Sequence, residues 1–332
     1  MSQASRKDGF TVPRILRRLR GLVVLALPAA TVLAGQAPPA TIGRGAAPQP
    51  PLVRSGVTVK LSDHVSVIPD GNVPMVPNVG IVVGNRATLV VDTGLGPDNG
   101  KTVLREVAKI SRNRTMYLVA THFHPEHAGG ASAFPATTRF IVSDAEQRDL
   151  DELGPGMIAN FAKISPVHAE LLKNLVQRPG DVHFATEQRL DLGGVTVRLV
   201  AVGPTHTRGD TVAFVEPDRV LFAGDVALNR IFLSFTAQSS AANWLKALDT
   251  VEAMQPAHVV PSHGPLGDAA IIGEQRAVLL GMQARVRELK AQGRSADQVA
   301  QDLTSQFQAQ YPDWSSPTRV GGAARAFFTE LP

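Results

Sequence analysis

The chain has 332 residues, 44% hydrophobic and 19% charged, an ordinary globular composition with enough length for a large core. It contains no cysteine, which excludes disulfides, thiolate metal sites and cysteine nucleophiles and leaves His, Asp and Glu as metal ligands. The net charge of +4 says little about partners: six of the 33 basic residues and one of the 29 acids fall in the first 37 residues, so the remainder carries a net charge of −1. No basic surface for nucleic acid is implied.

Those first 37 residues are expected to be a signal peptide. Arg6, Lys7, Arg14, Arg17, Arg18 and Arg20 precede the apolar run LVVLALPAATVLAG (22–35), and small residues suited to cleavage follow near Ala34 or Ala37. The run is 14 residues long and broken by Pro28, shorter than the roughly 20 that a membrane-spanning helix needs. The expected destination is the periplasm or the medium, with no stable membrane span after cleavage. Arg17-Arg18 hints at twin-arginine export, but Arg20 and Gly21 fit that pattern poorly, so the general secretory route is preferred. A retained anchor is the competing reading. Residues 38–52 (PPATIGRGAAPQPPL) have no periodicity and are expected to be a flexible linker.

Short β-branched runs then recur between turn residues and are expected to be strands. They are VTVKL (57–61), VSVI (65–68), GIVV (80–83), ATLVV (87–91), YLVAT (117–121) and RFIVS (139–143). After them come VTVRLVAV (195–202), VAFVE (212–216), RVLFA (219–223) and HVVP (258–261). Apolar spacings of three and four mark helices over 98–111, 241–254 and 268–291. Gly293 ends the last of these, and Ser295 with Gln298 makes a capping box for a further helix. The main domain is thus expected over 53–292, with a helical extension over 293–332 packed on it. Residues 144–190 are mostly polar with helical fragments and read as an insertion over the sheet edge.

Strand ends carry the chemistry. ATLVV runs into Asp92, YLVAT into His122, His124, Glu126 and His127, RVLFA into Asp225 and HVVP into His263; His206 opens HTRGD after VTVRLVAV. A lone histidine such as His263 reads by itself as a loop residue, but three within HFHPEH do not. His64, His168, His183 and His258 have no such context and read as ordinary residues. Strand ends are rigid supports whose loops can converge, and ligands without sulfur suit two divalent ions sharing a water.

The order HxHxEH, a His 79 residues after His127, an Asp 19 later and a His 38 later resembles the metallo-β-lactamase superfamily over about residues 53–290. The resemblance implies an α/β (α+β) fold: a four-layer αββα sandwich of two sheets with helices outside. It implies that His122, His124 and His206 hold one metal. His127, His263 and Glu126 then hold a second, Asp225 bridges the two, and Asp92 stiffens the ligand loop from behind. The cofactors implied are two divalent ions, zinc first, with iron or manganese as alternatives.

Glu126 departs from the pattern, which usually has Asp there. It is expected to ligate the second metal directly, the other reading being that it holds the nucleophilic water. Asp225 stands where zinc β-lactamases place Cys or Ser, so the chain resembles the glyoxalase II and lactonase-like branch. The activity implied is a secreted dinuclear hydrolase that cleaves an ester, lactone, thioester or amide with a metal-bridging hydroxide. A β-lactamase-like amidase and an iron-dependent redox member are the alternatives. Pocket walls are expected from 70–78, 144–190 and 229–238, with Met75, Met157, Phe161, Phe232 and Phe235 and few charges. That favours a small-molecule substrate with a neutral or apolar acyl group.

Overall fold

A computed structural model describes residues 49–332. The expected signal peptide and most of the expected linker lie outside the described residues. The first sheet begins with β1 (Val59–Lys60), β2 (Val65–Ile68), β3 (Val79–Val83) and β4 (Ala87–Val91). After α1 (Gly96–Ile110) come β5 (Thr115–Val119), the short α2 (Pro125–Ala128) and β6 (Arg139–Ser143). Helices α3 (Asp144–Ala162) and α4 (Pro166–Leu172) then lead to β7 (Val182–Phe184). These seven strands lie side by side in chain order, antiparallel from β1 to β4 and parallel from β4 to β7.

The second sheet has the order β12-β11-β10-β9-β8. Its strands are β8 (Glu187–Asp191), β9 (Thr196–Ala201), β10 (Thr211–Val215), β11 (Val220–Gly224) and β12 (His258–Pro261). Helix α5 (Ala241–Ala253) precedes β12, and α6 (Ala270–Ala291), α7 (Ala296–Gln310) and α8 (Val320–Glu330) follow it.

The two-residue period of the strands builds the layers. Leu89, Val91, Val119 and Ile141 of the first sheet meet Val197, Ala213, Val215 and Phe222 of the second in one buried cluster. The alternate residues Val90, Leu118, Phe140 and Val142 face outward onto Val103 and Val107 of α1 and Leu150 of α3. On the other side, Val212, Phe214, Leu221 and Val259 pack under Trp244, Leu248, Met282, Leu303 and Phe327 of α5 to α8. Every strand in the middle is therefore buried on both faces, which makes the four-layer αββα sandwich. Gly80 lets the sheets approach, because a Cβ there would lie 2.3 Å from the Phe222 ring.

Three differences from the sequence reading have physical causes. Residues 144–190 hold two helices but also β7 and most of β8, which close the edges of the two sheets. These are half-exposed edge strands, and β8 (EQRLD) displays Glu187 to Arg198 and Arg189 to Glu216 in place of an apolar alternation. Their sequence is polar because solvent meets them. Secondly, the expected linker is already anchored at Pro51, which is buried and whose carbonyl accepts a hydrogen bond from Asn99 Nδ2 at 2.9 Å. Thirdly, the strand expected over 57–61 shortens to the exposed pair Val59–Lys60. The capping box forms as read, with Ser295 Oγ accepting from Gln298 N and Gln298 Oε1 from Ser295 N.

Glu106 pins the segment before β1 onto α1. Its carboxylate, 1% exposed, accepts from Ser55 Oγ at 2.6 Å, Gly56 N at 3.0 Å, Thr58 Oγ1 at 2.8 Å and Lys109 Nζ at 2.5 Å. Burial pushes the Glu106 pKa up, but hydrogen bonds from Lys109, Ser55, Thr58 and Gly56 outweigh it and bring it down to about 2. Ionised Glu106 therefore stabilises the fold above the unfolded carboxyl range, and that contribution disappears as pH falls from about 4.5 toward 2. Glu106→Gln should lower the unfolding free energy at pH 7 by about 2 kcal/mol. The gap between variant and wild type in urea titrations should narrow as pH drops below 4.5. A pH-independent gap would show that packing, not the charge, is what Glu106 provides.

Candidate metal centre

The candidate ligands come together at one end of the sandwich. β4 and β5 are parallel, so Asp92 and His122 emerge side by side at their carboxyl ends. β11 and β12 are likewise parallel and deliver Asp225 and His263. The turn between β9 and β10 brings in His206. The HFHPEH segment folds as the sequence demands: His124 caps α2 in an extended conformation, and Pro125 occupies the first helical position. One turn of helix then swings His127 back toward His122.

Three overlapping groups of side chains result. His122, His124 and His206 form one, His122, His127 and Asp225 a second, and Glu126, His127 and His263 a third, each with ligand atoms within 4.8 Å of one another. His122 Nε2 lies 3.1 Å from His124 Nδ1, which lies 3.2 Å from His206 Nε2, so three lone pairs converge. Asp225 lies between the groups. Its Oδ2 is 3.7 Å from His206 Nε2 and its Oδ1 3.8 Å from His263 Nε2. Glu126 Oε1 is 3.9 Å from His127 Nε2.

The backs of the rings fix which nitrogen faces inward. His206 Nδ1 donates to the Ser234 carbonyl at 2.7 Å and His263 Nδ1 to the Val76 carbonyl at 2.9 Å. His127 Nδ1 donates to Asp92 Oδ2 at 3.0 Å. Each acceptor holds the proton on Nδ1 and leaves the Nε2 lone pair pointing into the site. These acceptors were beyond the sequence reading, apart from Asp92, because two are main-chain carbonyls and carry no residue signature.

The electrostatics suit cations. Burial, together with the neighbouring imidazoles, holds the pKa of His122 and His124 well below the usual histidine range, so both are neutral donors. Burial likewise pushes His263 down. Burial opposes charge on His127, yet Asp92, Glu126 and Asp225 raise its pKa to about 9. A position where three carboxylates favour a proton on imidazole also favours a metal ion. Burial pushes Glu126 up to about 7. Burial works against ionised Asp225 too, but His263, His206, His127 and Arg319 hold its carboxyl well below the usual range.

The residues fit a metal pair by an independent sign. Glu126 Oε2, His127 Nε2 and Asp225 Oδ1 are buried without a hydrogen-bond partner. Orphaned buried polar atoms are costly, and all three belong to residues of the overlapping ligand groups. With neutral imidazoles and two carboxylates, the donor set matches divalent ions that take nitrogen and oxygen ligands.

Above this centre lies a cavity of about 760 Å³. His124, Glu126, His206, Asp225 and His263 form its floor, and Val73, Pro74, Met75, Phe161 and Ile231 give it an apolar wall. The expected wall segments do contribute, but Phe232 and Phe235 are packed against Trp314 and Trp244, and Met157, on α3, packs against the cluster of Leu95, Phe161 and Leu172. The expectation of few charges also fails, since Arg230, Arg319, Asp70 and Asp313 line the cavity. Arg319 and Asp313 belong to the C-terminal helical segment, and only tertiary packing brings them here: Ile231 bridges Ser315 and Phe232 N donates to the Ser315 carbonyl.

A profile of the metallo-beta-lactamase superfamily matches residues 72–263, more than half of the chain. The chain belongs to the metallo-beta-lactamase superfamily. It is 23% identical over 214 residues to a linear primary-alkylsulfatase from Pseudomonas sp., covering 53% of this chain and 39% of that one. It is 24% identical over 216 residues to a human acyl-coenzyme A thioesterase, covering 56% and 72%. The chain thus spans about two fifths of the sulfatase relative and most of the thioesterase relative.

Among solved structures, a metallo-beta-lactamase from Pontibacter korlensis superposes with a TM-score of 0.55 at 22% identity, over 67% of this chain and 98% of that one. The sec-alkylsulfatase Pisa1 from Pseudomonas sp. gives a TM-score of 0.62 at 13% identity, over 82% and 50%. At such identities the likeness establishes the fold, and the expected family and αββα architecture are both borne out. The named relatives include hydrolases of two kinds, a sulfatase and a thioesterase, which supports a metal-dependent hydrolase.

Asp92 braces this centre without touching the cavity. Asp92→Ala should weaken metal binding by roughly 10–100-fold, read by chelator competition, with the melting transition still cooperative. Asp92→Asn should recover part of the loss, because Asn tolerates the φ of +64° and keeps an acceptor. Unchanged metal affinity in both variants would show that the His127 orientation does not depend on Asp92.

Proposed function

We propose that this chain is an exported, metal-dependent hydrolase that cleaves an ester- or thioester-type bond of an acyl compound. The observation that carries the reading is the overlap of the three ligand groups on the floor of an apolar-walled cavity. His122, His124 and His206 would hold one ion, and Glu126, His127 and His263 a second, with Asp225 between them. Bound there, divalent ions such as zinc would supply Lewis acidity and activation of water at neutral pH.

The chain's own residues do the rest. Val73, Pro74, Met75, Phe161 and Ile231 shield an acyl chain from solvent and orient its carbonyl toward the floor. Glu126 Oε2 and Asp225 Oδ1 are the free acceptors on that floor. Each can hold a cation or a water proton, and neither is tied up by the protein. The main-chain acceptors behind His206 and His263 keep those rings from turning as substrate enters and leaves.

The test is an assay of the full chain against matched p-nitrophenyl esters, acyl thioesters, lactones, nitrocefin and sulfate esters, before and after chelation. Ester or thioester turnover should vanish on chelation and return with zinc, at about two ions per chain. Full activity without stoichiometric metal, or turnover confined to nitrocefin or sulfate esters, would overturn the reading. Glu126→Gln should reduce metal content toward one ion while His122, His124 and His206 keep theirs. Two ions retained with turnover lost would instead make Glu126 a holder of water.

The basic N-terminus and the apolar run 22–35 support export. Intact mass of chain recovered from the periplasm or medium should place its first residue near 35–38. A full-length chain recovered only with membranes would favour a retained anchor.

A further inference from the structure

Resting on that reading of the cavity as the active site, we propose that Arg230 and Arg319 bind an anionic oxygen group on the substrate. The substrate is then an amphiphilic anion: an acyl compound with an apolar segment and a carboxylate, sulfate or phosphate group that meets the two guanidinium groups.

Both arginines line the cavity that holds the ligand groups. Among the described residues, neither has a carboxylate within ion-pair distance. Asp225 lies close enough to feel the Arg319 charge, but no acid of the cavity forms an ion pair with either arginine. Asp70 is committed to Asn72 N at 2.9 Å and Gly264 N at 2.7 Å, and Glu126 and Asp225 belong to the floor. Asp313 is exposed at the rim.

The backbone holds both arginines in place. Arg230 sits in the left-handed region at φ +55°, and its carbonyl accepts from Ser315 N at 3.0 Å. Two residues on, the Phe232 carbonyl accepts from Arg319 Nη1 at 3.3 Å. Ser316, between Ser315 and Arg319 in the chain, also adopts φ +61°. The loop after β11 and the start of the last helix are thus clasped together, and the clasp carries a guanidinium on each side. Guanidinium groups give paired, planar donors that match carboxylate, sulfate and phosphate oxygens. The apolar wall of Val73, Pro74, Met75 and Phe161 accounts for the other half of such a substrate.

Equilibrium binding separates this from the hydrolytic reading. Calorimetric titration of the metal-loaded full chain would use decane-1-sulfonate, decanoate, decyl phosphate and neutral decan-1-ol as probes. At least one anion should bind about 10-fold more tightly than the alcohol, and the ranking of the three identifies the oxyacid. The double variant Arg230→Ala/Arg319→Ala should abolish the preference while keeping affinity for decan-1-ol. Arg230→Lys/Arg319→Lys, which preserves charge and bulk, should keep part of it and guards against a folding defect. Wild-type preference should also weaken as salt rises. Equal binding of anions and alcohol by wild type overturns the proposal. A preference that persists in the double variant does so too, because the metals would then be its source. Anion preference without ester or thioester turnover would sink the reaction and leave the anion site standing; turnover of neutral esters without anion preference would do the reverse.

Discussion

The Asp92 carboxylate is the interaction on which the metal centre depends. It accepts from Thr121 N at 2.7 Å and Thr121 Oγ1 at 3.1 Å, from His127 Nδ1 at 3.0 Å, and from Ser262 Oγ at 3.4 Å. One buried group thereby joins the ends of β4, β5 and β12, which belong to different sheets. It fixes the loop that starts with His122, the ring of His127 and the residue before His263. Thr93 continues the clasp, because its hydroxyl donates to the His127 carbonyl at 2.6 Å and accepts from Gly130 N at 3.0 Å. Gly130 is required there: a Cβ would lie 2.6 Å from the Thr93 carbonyl oxygen. The Asp92-Thr93-Gly94 turn is thus a structural keystone, with its aspartate held in the left-handed region to aim the carboxylate.

Burial of both sheet faces makes such precision possible. A ligand at the end of a strand that packs on two sides cannot swing without disturbing two cores. Less regular segments need their own supports, and each has one. His206 sits in a loop tightened by Asp210, which accepts from Thr205 Oγ1, Thr207 N and Thr207 Oγ1, and anchored to α3 by Arg208 pairing with Asp149 and Glu152. The turn bearing His263 is held by Asn78, whose amide donates to the Pro261 and Gly264 carbonyls at 2.9 Å each. HTRGD and PSHG are therefore local machines for ring placement, and their polar residues are absorbed by the backbone.

What the sequence made legible follows from the range of the interactions. The ligand set was readable because imidazoles and carboxylates at strand ends announce their chemistry locally, and parallel pairing of β4 with β5 and β11 with β12 does the gathering. The central strands were readable because burial on both faces leaves runs such as VLFAG without a polar residue and ATLVV with only Thr88, whose hydroxyl is bonded to Ser111. β7 and β8 were not, since an edge strand needs no such run. The cavity's cationic side escaped for a different reason. Arg319 lies 113 residues beyond His206 in the chain, and only the pairing of Ile231 with Ser315 brings its neighbourhood to the site. Nothing in the local pattern of the C-terminal helices signals that contact.

The charge balance of the site ties these parts together. Two divalent ions held here would bring four positive charges; Asp92, Glu126 and Asp225 would answer with three and a hydroxide between the ions with a fourth, while the five histidines would be neutral donors. With that hydroxide the floor would be balanced, and only the two arginines would be left without a counter-charge. Arg230 and Arg319 add positive charge at the cavity rather than cancel it, and of the remaining acids Asp70 is already bound to backbone N–H groups. Beside a floor of buried ligand groups that positive charge is felt more strongly than in open solvent. A neutral acyl compound would satisfy the apolar wall and leave Arg230 and Arg319 without a counter-charge. A compound with an anionic group would satisfy both, and the charge that answers the arginines would then arrive with the substrate.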